Sequence, residues 1–207
     1  MPIRGVIFDL DGTLVDSRLD FDQMRREMGI DGSPPLLEAL ANMPPERATR
    51  CWEILLEHER RGAEQAVPFP GVPQFLQELA ERGLARGVVT RNSRESTLAL
   101  LARLGLQFDP VLGRHEAPPK PDPTALLHIC QAWDFAPREC VMIGDYRYDI
   151  EAARRAGMHA VLFTGAGGLS GLAEENTVDL LLSSFAEPAE FWQWLGQIDL
   201  GGDEGSC

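Results

Sequence analysis

The sequence predicts an α/β protein with an open, parallel, Rossmann-like sheet flanked by helices and a small α-helical cap domain. Two observations lead to this prediction. Short, continuously apolar segments, typical of strands buried on both faces, alternate with segments that carry apolar residues at helical spacing. One stretch, residues 17–68, interrupts the alternation with helical patterns alone. Strand–helix alternation favours parallel strands joined by right-handed crossovers.

Five segments are predicted to be strands, the last with the weakest pattern: GVIFD (5–9), ARGVVT (85–90), ECVMIGD (139–145), HAVLFT (159–164) and VDLLLSS (178–184). Four segments between or before them are predicted to be helices: 72–83, 93–105, 122–133 and 147–157. Glycines at 83, 105 and 157 stand where these patterns end, as C-terminal caps commonly do. The segment FWQWL, with Trp192 and Trp194, predicts a last helix packed on the sheet.

The interrupting stretch predicts two or three helices joined by Pro/Gly turns. Because it follows the first strand directly, we expect a cap above the carboxyl end of that strand, with hinges near Asp16–Ser17 and Pro68–Gly71. An elaborated connection packed on the sheet edge is the alternative. The predicted domains are a core of 1–16 plus 69–200, a cap of 17–68 and a flexible tail of 201–207.

Composition narrows the class of protein. The 207 residues suffice for one good core with a small accessory domain, and 44% apolar and 25% charged residues are ordinary for a globular protein. A net charge of −13 argues against a nucleic-acid partner. No apolar run approaches the length of a membrane span, and the first strand begins too early for a signal peptide, so we expect a cytoplasmic protein. The cysteines are well separated in sequence and are expected to be reduced thiols: Cys51, Cys130, Cys140 and Cys207.

Polar clusters follow the predicted strands. They are Asp9 with Asp11, TRNS (90–93), PPKPDP (118–123) and GDYRYDI (144–150). Ligands of open α/β sheets bind beyond the carboxyl ends of the strands, so the fold would bring the four clusters together. Mg²⁺ commonly uses one or two protein carboxylates with phosphate and water, and Asp9 and Asp145 can supply them. Asp9 could then attack phosphorus, Asp11 could act as acid and base, and Gly12 would let the backbone approach the phosphate.

Taken together, DLDGT at the first strand end, Thr90 at the second, Lys120 before a helix and the later GDxxxD resemble the haloacid dehalogenase superfamily. Among its members the chain looks like phosphatases that carry a helical cap after the first motif. The resemblance extends over roughly residues 3–164 and weakens over 20–66 and after about 170. Each motif alone has an ordinary explanation as a solvated turn or a helix cap; the ordered set carries the assignment.

The resemblance implies a role for each matching residue. Asp9 matches the nucleophile and a metal ligand. Asp11 matches the acid and base, and its backbone carbonyl would also bind the metal. Asp145 matches a metal ligand, and Asp149 matches the acid that supports the metal directly or through water.

The remaining matches concern the phosphate. Thr90 matches the phosphate-binding hydroxyl, and Lys120 matches the cation that offsets the nucleophile and the phosphate. TRNS differs from the commoner TNS by the insertion of Arg91, which leaves open whether Asn92 contacts phosphate. Arg91 and Asn92 are both candidates for phosphate binding. Lys120 is the only lysine beside eighteen arginines. An ammonium is a compact charge that a planar guanidinium does not replace in a crowded site. We expect Lys120 to be an exposed strand-end residue, so that Lys120→Met would leave the fold intact.

The leading functional prediction is a Mg²⁺-dependent phosphatase of a small phosphorylated metabolite, acting through an aspartyl-phosphate. Asp11 argues against carbon–halogen cleavage, and the absence of lysine from 17–68 argues against a Schiff-base phosphonatase. A sugar phosphomutase and a non-catalytic binding protein on the same scaffold are the alternatives. Arg25 and Arg26 either meet a second anionic group of the substrate or form a solvated face. The substrate, the oligomeric state and any protein partner stay open.

Overall fold

The computed structural model describes residues 2–32, 34–165 and 178–201. The predicted flexible tail, apart from Gly201, lies outside these residues. The elements follow one another along the chain as β1 Gly5–Phe8, β2 Val15–Asp16, α1 Phe21–Met28, α2 Leu36–Ala41, α3 Pro45–Gln65, β3 Val67–Pro68, α4 Val72–Glu81, β4 Ala85–Val89, α5 Arg94–Leu104, β5 Val111–Leu112, α6 Thr124–Trp133, β6 Cys140–Gly144, α7 Arg147–Ala156, β7 His159–Phe163, β8 Leu180–Leu182 and α8 Ala189–Gly201.

Six strands form one parallel sheet in the order β5-β4-β1-β6-β7-β8, which confirms the predicted α/β fold. β1 lies in the interior of the sheet, where Gly5 is in register with Ala85 of β4 and with Cys140 of β6. All four residues of β1 are buried, as a continuously apolar segment requires when helices cover both faces of a sheet.

Different side chains cover the two faces of this sheet. Ile7 belongs to a buried cluster with apolar residues of α6 and α7, including Leu126 and Ile129. Phe8 packs edge-on against Phe75 of α4, with ring centroids 6.3 Å apart. Phe75 in turn lies 5.3 Å from the ring of Trp192, so α8 packs on the same side as α4. These two layers fix the direction in which β1 presents its carboxyl end.

The structure differs from the sequence-based assignment in its shortest elements. The strands β2, β3 and β5 were not predicted, since two residues each carry too little pattern to be recognised. Gly105 and Gly157 adopt the left-handed conformation and end α5 and α7 as predicted. Gly83 is also left-handed but stands one residue beyond Arg82, which caps α4.

The chain divides into two compact units: a helical unit, Ser17–Ala66, and a core unit that contains all other described residues. The helical unit buries apolar side chains of its three helices: Met24, Met28, Leu36, Leu40, Cys51 and Leu55. Its end differs from the predicted boundary, because Val67–Pro68 form β3 and pair antiparallel with β2 of the core unit. The function of the helical unit as a cap stays a prediction.

Two arginines considered as substrate contacts have partners inside the helical unit. Arg25 Nη1 lies 2.8 Å from Asp22 Oδ1, and Arg26 Nη2 lies 4.0 Å from Asp20 Oδ2. Arg26 is exposed, as on a solvated helix face, whereas the Arg25 side chain is only 18% exposed and its Nε also donates a hydrogen bond to the Pro34 carbonyl oxygen.

Tertiary structure brings together two of the cysteines that the sequence separates. The Sγ atoms of Cys130 in α6 and Cys140 in β6 lie 3.5 Å apart, and both side chains are buried free thiols. None of the helices within the described ranges combines the length and the apolar character that a membrane span requires.

Candidate active site

The polar clusters meet because their strands are neighbours. β1 lies between β4 and β6 in the sheet, so the residues that follow these strands emerge side by side at one edge. Asp9 follows β1, Thr90 follows β4 and Asp145 follows β6. Lys120 enters from the connection between β5 and α6. The predicted convergence of the motifs at the carboxyl edge is therefore present in the structure.

Lys120 is the buried centre of this group. Its side chain is only 2% exposed, and its Nζ contacts Asp9 Oδ1. The same Nζ lies 2.6 Å from Asp149 Oδ1 and donates a hydrogen bond of 2.8 Å to the carbonyl oxygen of Val89. The expected exposure of Lys120 is wrong, because three acceptors from β4, the β1 end and α7 surround its ammonium and close it off from solvent.

Three carboxylates share this corner of the sheet. Asp9, Asp145 and Asp149 each offer an oxygen, and these oxygens all lie within 4.8 Å of one another. The pKa of Asp9 lies well above its ordinary value, chiefly because the carboxyl group is buried. Lys120 acts to lower this pKa, whereas the charges of Asp149 and Asp145 act to raise it. Burial, and then Asp149, raise the pKa of Asp145 to about 6. One ammonium does not offset three ionised carboxylates, and the raised pKa values of Asp9 and Asp145 reflect this mutual repulsion as well as burial.

The neighbours of Lys120 favour its charged form. Burial by itself lowers the pKa of an ammonium, but the charges of Asp149 and Asp9 outweigh it and raise the pKa of Lys120 to about 12. Lys120 is therefore a permanent cation at neutral pH. The oxygen-only donor set and the uncompensated charge together fit a hard divalent cation such as Mg²⁺.

A tight turn after β1 shapes the position of Asp145. Gly12 has φ of +83°, and a Cβ added to it would lie 2.4 Å from Asp145 Oδ2. The next residue, Thr13, is fully buried and its Oγ1 donates a hydrogen bond of 3.0 Å to Asp145 Oδ1. Thr13 was not among the site residues predicted from the sequence. Its signal was a hydroxyl in an otherwise apolar segment directly after the acidic turn.

Asp149 is held by a second close approach. A Cβ added to Gly144 would lie 2.3 Å from the Asp149 side chain, so glycine is required at the end of β6. Asp149 Oδ2 also accepts a hydrogen bond of 3.1 Å from the backbone N–H of Tyr146, at the start of α7. Asp149 therefore both caps α7 and presents its other oxygen to Lys120.

The loop after β4 contacts the second carboxylate of the first motif. Asn92 Nδ2 donates a hydrogen bond of 2.5 Å to Asp11 Oδ2. Thr90 is buried, and its Oγ1 accepts a hydrogen bond of 3.1 Å from the Asn92 N–H. The guanidinium of Arg91 lies 5.1 Å from the ring centroid of Tyr148. Phosphate binding by Thr90, Arg91 and Asn92 stays a prediction; the contact of Asn92 with Asp11 was not anticipated.

Comparison with known proteins identifies the family. The model of the haloacid dehalogenase-like hydrolases matches residues 19–163. A haloacid dehalogenase-like hydrolase domain-containing protein of Arabidopsis thaliana is 33% identical over 86% of this chain and 81% of its own length. A plasmid-encoded phosphoglycolate phosphatase of Cupriavidus necator is 33% identical over 87% of this chain and 91% of its own length.

Solved structures share the fold at lower identity. A predicted phosphoglycolate phosphatase of Haemophilus somnus superposes with a TM-score of 0.73 at 21% identity, covering 92% of this chain and 98% of its own. A β-phosphoglucomutase of Clostridium difficile gives a TM-score of 0.74 at 18% identity, over 96% and 99% of the two chains. The family and the hydrolase class predicted from the motifs are confirmed: the chain belongs to the haloacid dehalogenase-like hydrolases.

Proposed function

We propose that the protein is a Mg²⁺-dependent phosphatase that hydrolyses a small phosphomonoester through an aspartyl-phosphate formed on Asp9. One observation carries this proposal. Asp9, Asp145 and Asp149 converge around a buried Lys120 at the carboxyl edge of the sheet. A buried cluster of three carboxylates around one ammonium is costly to fold, and a bound cation would account for it.

Asp9 and Asp145 would hold the metal, with Asp149 supporting it directly or through water and the backbone carbonyl of Asp11 as a further ligand. When bound, Mg²⁺ supplies positive charge that draws in the phosphate oxygens and offsets the charge that builds up on them. Thr13 would orient Asp145 through its hydrogen bond of 3.0 Å.

The chain's own groups carry the two chemical steps. An oxygen of Asp9 attacks phosphorus, the bond to the leaving oxygen breaks, and Asp11 gives that oxygen a proton. Asp11, now a carboxylate, takes a proton from water, whose oxygen attacks phosphorus and releases phosphate with Asp9 restored. Lys120 contacts Asp9 on one oxygen, which leaves the other free to attack and stabilises the ionised nucleophile.

The substrate class is taken from relatives. Two of them, 33% identical and 29% identical, are named phosphoglycolate phosphatase, and a third, 30% identical, is named N-acetylmuramic acid 6-phosphate phosphatase. Both names describe a phosphomonoester of a carboxylic acid. We therefore propose a small phosphorylated acid, with phosphoglycolate as the first compound to test. The prediction that no nucleic acid or membrane is involved, and the predicted cytoplasmic location, stay predictions.

Release of inorganic phosphate from a panel of phosphorylated acids and sugars tests the proposal. We expect release with Mg²⁺, none with a chelator, and recovery when Mg²⁺ is restored in excess. Ca²⁺ should inhibit, because its looser and higher coordination lets Asp9 bind through both oxygens. Acid quenching during turnover should trap labelled phosphate on Asp9, and Asp9→Asn should abolish both the label and turnover.

Four results would contradict the proposal. Full activity in chelator would exclude the metal, and unaltered turnover by Asp9→Asn would exclude the nucleophile. Conversion of a sugar phosphate to its isomer without phosphate release would identify a phosphomutase instead. Failure of every phosphomonoester in the panel, with the protein folded, would favour a non-catalytic binding protein.

A further inference from the structure

The hydrogen bond between Asn92 and Asp11 joins two loops that lie far apart in sequence. Asn92 follows β4 and Asp11 follows β1, and the 2.5 Å separation of Asn92 Nδ2 and Asp11 Oδ2 directs an amide donor at one carboxylate oxygen. A single donor of this kind fixes the rotation of the carboxyl group. The other oxygen of Asp11 is thereby held in one direction, which matters for a group that must deliver a proton.

Asn92 is itself held through its backbone. Its N–H donates to Thr90 Oγ1 at 3.1 Å, and its carbonyl oxygen accepts a hydrogen bond of 2.9 Å from the N–H of Arg114. The guanidinium of Arg114 donates through Nη1 to the carbonyl oxygen of Arg91 at 3.3 Å. Two consecutive carbonyl groups of the loop after β4 therefore accept hydrogen bonds from a single residue of the loop after β5.

The contact between these two loops is close and buried. Arg114 is only 8% exposed. A Cβ added to the preceding residue, Gly113, would lie 2.5 Å from the backbone nitrogen of Arg94 and 2.7 Å from the carbonyl oxygen of Asn92. Arg94 Nε also donates to the carbonyl oxygen of Val111 in β5 at 3.1 Å. The backbones touch directly, so the loop after β5 has little freedom to move relative to Asn92.

From these contacts we infer that Arg114 is a positioning residue for the acid–base step: its guanidinium holds the Arg91 carbonyl, and thereby the adjoining peptide of Asn92, whose side-chain amide orients Asp11. The Arg114 N–H bond to Asn92 is a backbone contact that substitution at 114 retains. Arg114 does not need to contact the substrate for this purpose. The inference rests on the proposed function, because it assigns to Asp11 the protonation of the leaving oxygen. A displacement of about 1 Å in a catalytic group lowers turnover by up to roughly 100-fold.

The test compares two leaving groups in the whole 207-residue chain. p-Nitrophenolate leaves without protonation, whereas the alkoxide leaving group of an alkyl phosphate, phosphoglycolate first, requires the proton of Asp11. We expect Arg114→Met to lower kcat on the alkyl phosphate by about 10- to 100-fold and on p-nitrophenyl phosphate only a few-fold. Asn92→Leu should show the same pattern. Arg114→Lys, which keeps a donor, should recover part of the loss.

A double variant separates positioning from general loosening of the fold. If Arg114 acts through Asn92, Asn92→Leu with Arg114→Met should lose no more on the alkyl phosphate than Asn92→Leu alone. Arg4→Met is the matched control, because Arg4 precedes β1 at the opposite edge of the sheet and pairs with Glu139; its kinetics should equal those of the wild type. Thermal melting of every variant reports the folded fraction.

The outcomes separate this inference from the proposed function. Suppose that the wild-type protein hydrolyses both substrates. Then only the positioning role is overturned if Arg114→Met lowers kcat equally on the two substrates, or if the losses of kcat are additive in the double variant. A folded wild-type protein that releases phosphate from neither substrate overturns both. If Arg114→Met does not fold, Arg114→Lys and Asn92→Leu test the positioning role instead. The measure is again the loss of kcat on the alkyl phosphate relative to the loss on p-nitrophenyl phosphate.

Discussion

At the scale of the residue, Lys120 shows how one side chain joins three parts of the chain. Its Nζ reaches Asp9 after β1, Asp149 in α7 and the Val89 carbonyl at the end of β4. Removing the cation from such a buried group leaves carboxylates uncompensated, which typically costs about 3–5 kcal/mol. The side chain therefore contributes to the stability of the core unit as well as to the proposed chemistry.

We predict that Lys120→Met lowers kcat strongly and also lowers the free energy of unfolding by about 3–5 kcal/mol. Lys120→Arg should keep part of the stability, since a cation remains, but little of the activity, because a planar guanidinium does not fit between Asp9 and Asp149. Phosphate release and urea unfolding measure the two effects. Wild-type behaviour of Lys120→Arg in both measurements would show that any cation suffices.

At the scale of the element, the turn after β1 and the edge of the sheet depend on local geometry. Gly12 and Gly83 both have positive φ, at +83° and +75°. They differ in their surroundings: a Cβ on Gly12 would overlap Asp145, whereas a Cβ on Gly83 would meet nothing within 4 Å. Substituting each glycine in turn therefore distinguishes the effect of backbone strain, which both positions share, from the effect of displacing Asp145, which only position 12 has.

We predict that Gly12→Ala abolishes most activity, because the added methyl group displaces the Asp145 carboxylate. Gly83→Ala is the matched control. Each substitution places alanine in a left-handed conformation at a cost of about 1–2 kcal/mol, so both should reduce the melting temperature. Only Gly12→Ala should affect phosphate release and the Mg²⁺ concentration needed for half-maximal activity. Equal activity of the two variants would mean that Asp145 is free to move aside.

One carboxylate adds side-chain contacts to the backbone pairing of β8 with β7. Asp179, just before β8, accepts a hydrogen bond of 2.8 Å from the Ala160 N–H and lies 3.0 Å from Arg154 Nη1. Burial acts to raise its pKa, but hydrogen bonds from His159, Ala160 and Arg154 outweigh burial and lower the pKa to about 2. The folded-state pKa is below the unfolded value, so the stabilisation exists at neutral pH and is lost as pH falls through about 2.

We predict that Asp179→Asn, which keeps an acceptor oxygen for the Ala160 N–H, lowers the free energy of unfolding by about 2 kcal/mol between pH 5 and 7. The difference from the wild type should narrow below pH ~4 and vanish near pH ~2. Urea unfolding across this range measures it. A difference that stays constant with pH would show that the substitution acts through packing and not through charge.

At the scale of the whole molecule, the chain leaves the core unit and returns to it through adjacent strands. β2 precedes the helical unit and β3 follows it, and they pair antiparallel with Val15 opposite Pro68 and Asp16 opposite Val67. Directly opposed residues of such a pair lie only about 5 Å apart, which a hairpin loop spans. All the residues proposed for catalysis and metal binding belong to the core unit.

We predict that replacing residues 17–66 by a short Gly/Ser turn leaves a core unit that folds and still hydrolyses p-nitrophenyl phosphate. If the helical unit is a cap, discrimination among phosphorylated acids and sugars should fall, since a cap shields the site and selects the substrate. The ratio of kcat/KM values across the panel measures this, and the same deletion with Asp9→Asn is the control. Unchanged discrimination would contradict the cap.

Local patterns in the sequence were sufficient to predict the fold class and several residues of the candidate site. Continuously apolar segments predicted the parallel strands, and the polar residues directly after them marked Asp9, Thr90 and Asp145 at one edge. These inferences hold because strands buried on both faces must be apolar throughout and because parallel strands end at the same edge of a sheet. The short strands and the end of the helical unit were not predictable, since two residues carry no periodicity.

What the sequence by itself determined is therefore which side chains follow the predicted strands: the carboxylates of the first motif, the hydroxyl of Thr90 and the carboxylate of Asp145. The single lysine was placed only before a predicted helix, because β5 is too short to be recognised. Tertiary structure alone decided that Lys120 is buried, that Thr13 donates a hydrogen bond to Asp145, that Asn92 contacts Asp11 and that Arg114 contacts Asn92. Each of these contacts joins residues distant in sequence. Their distances depend on strand register and loop path, which are set by packing of the whole chain and leave no local periodic signal.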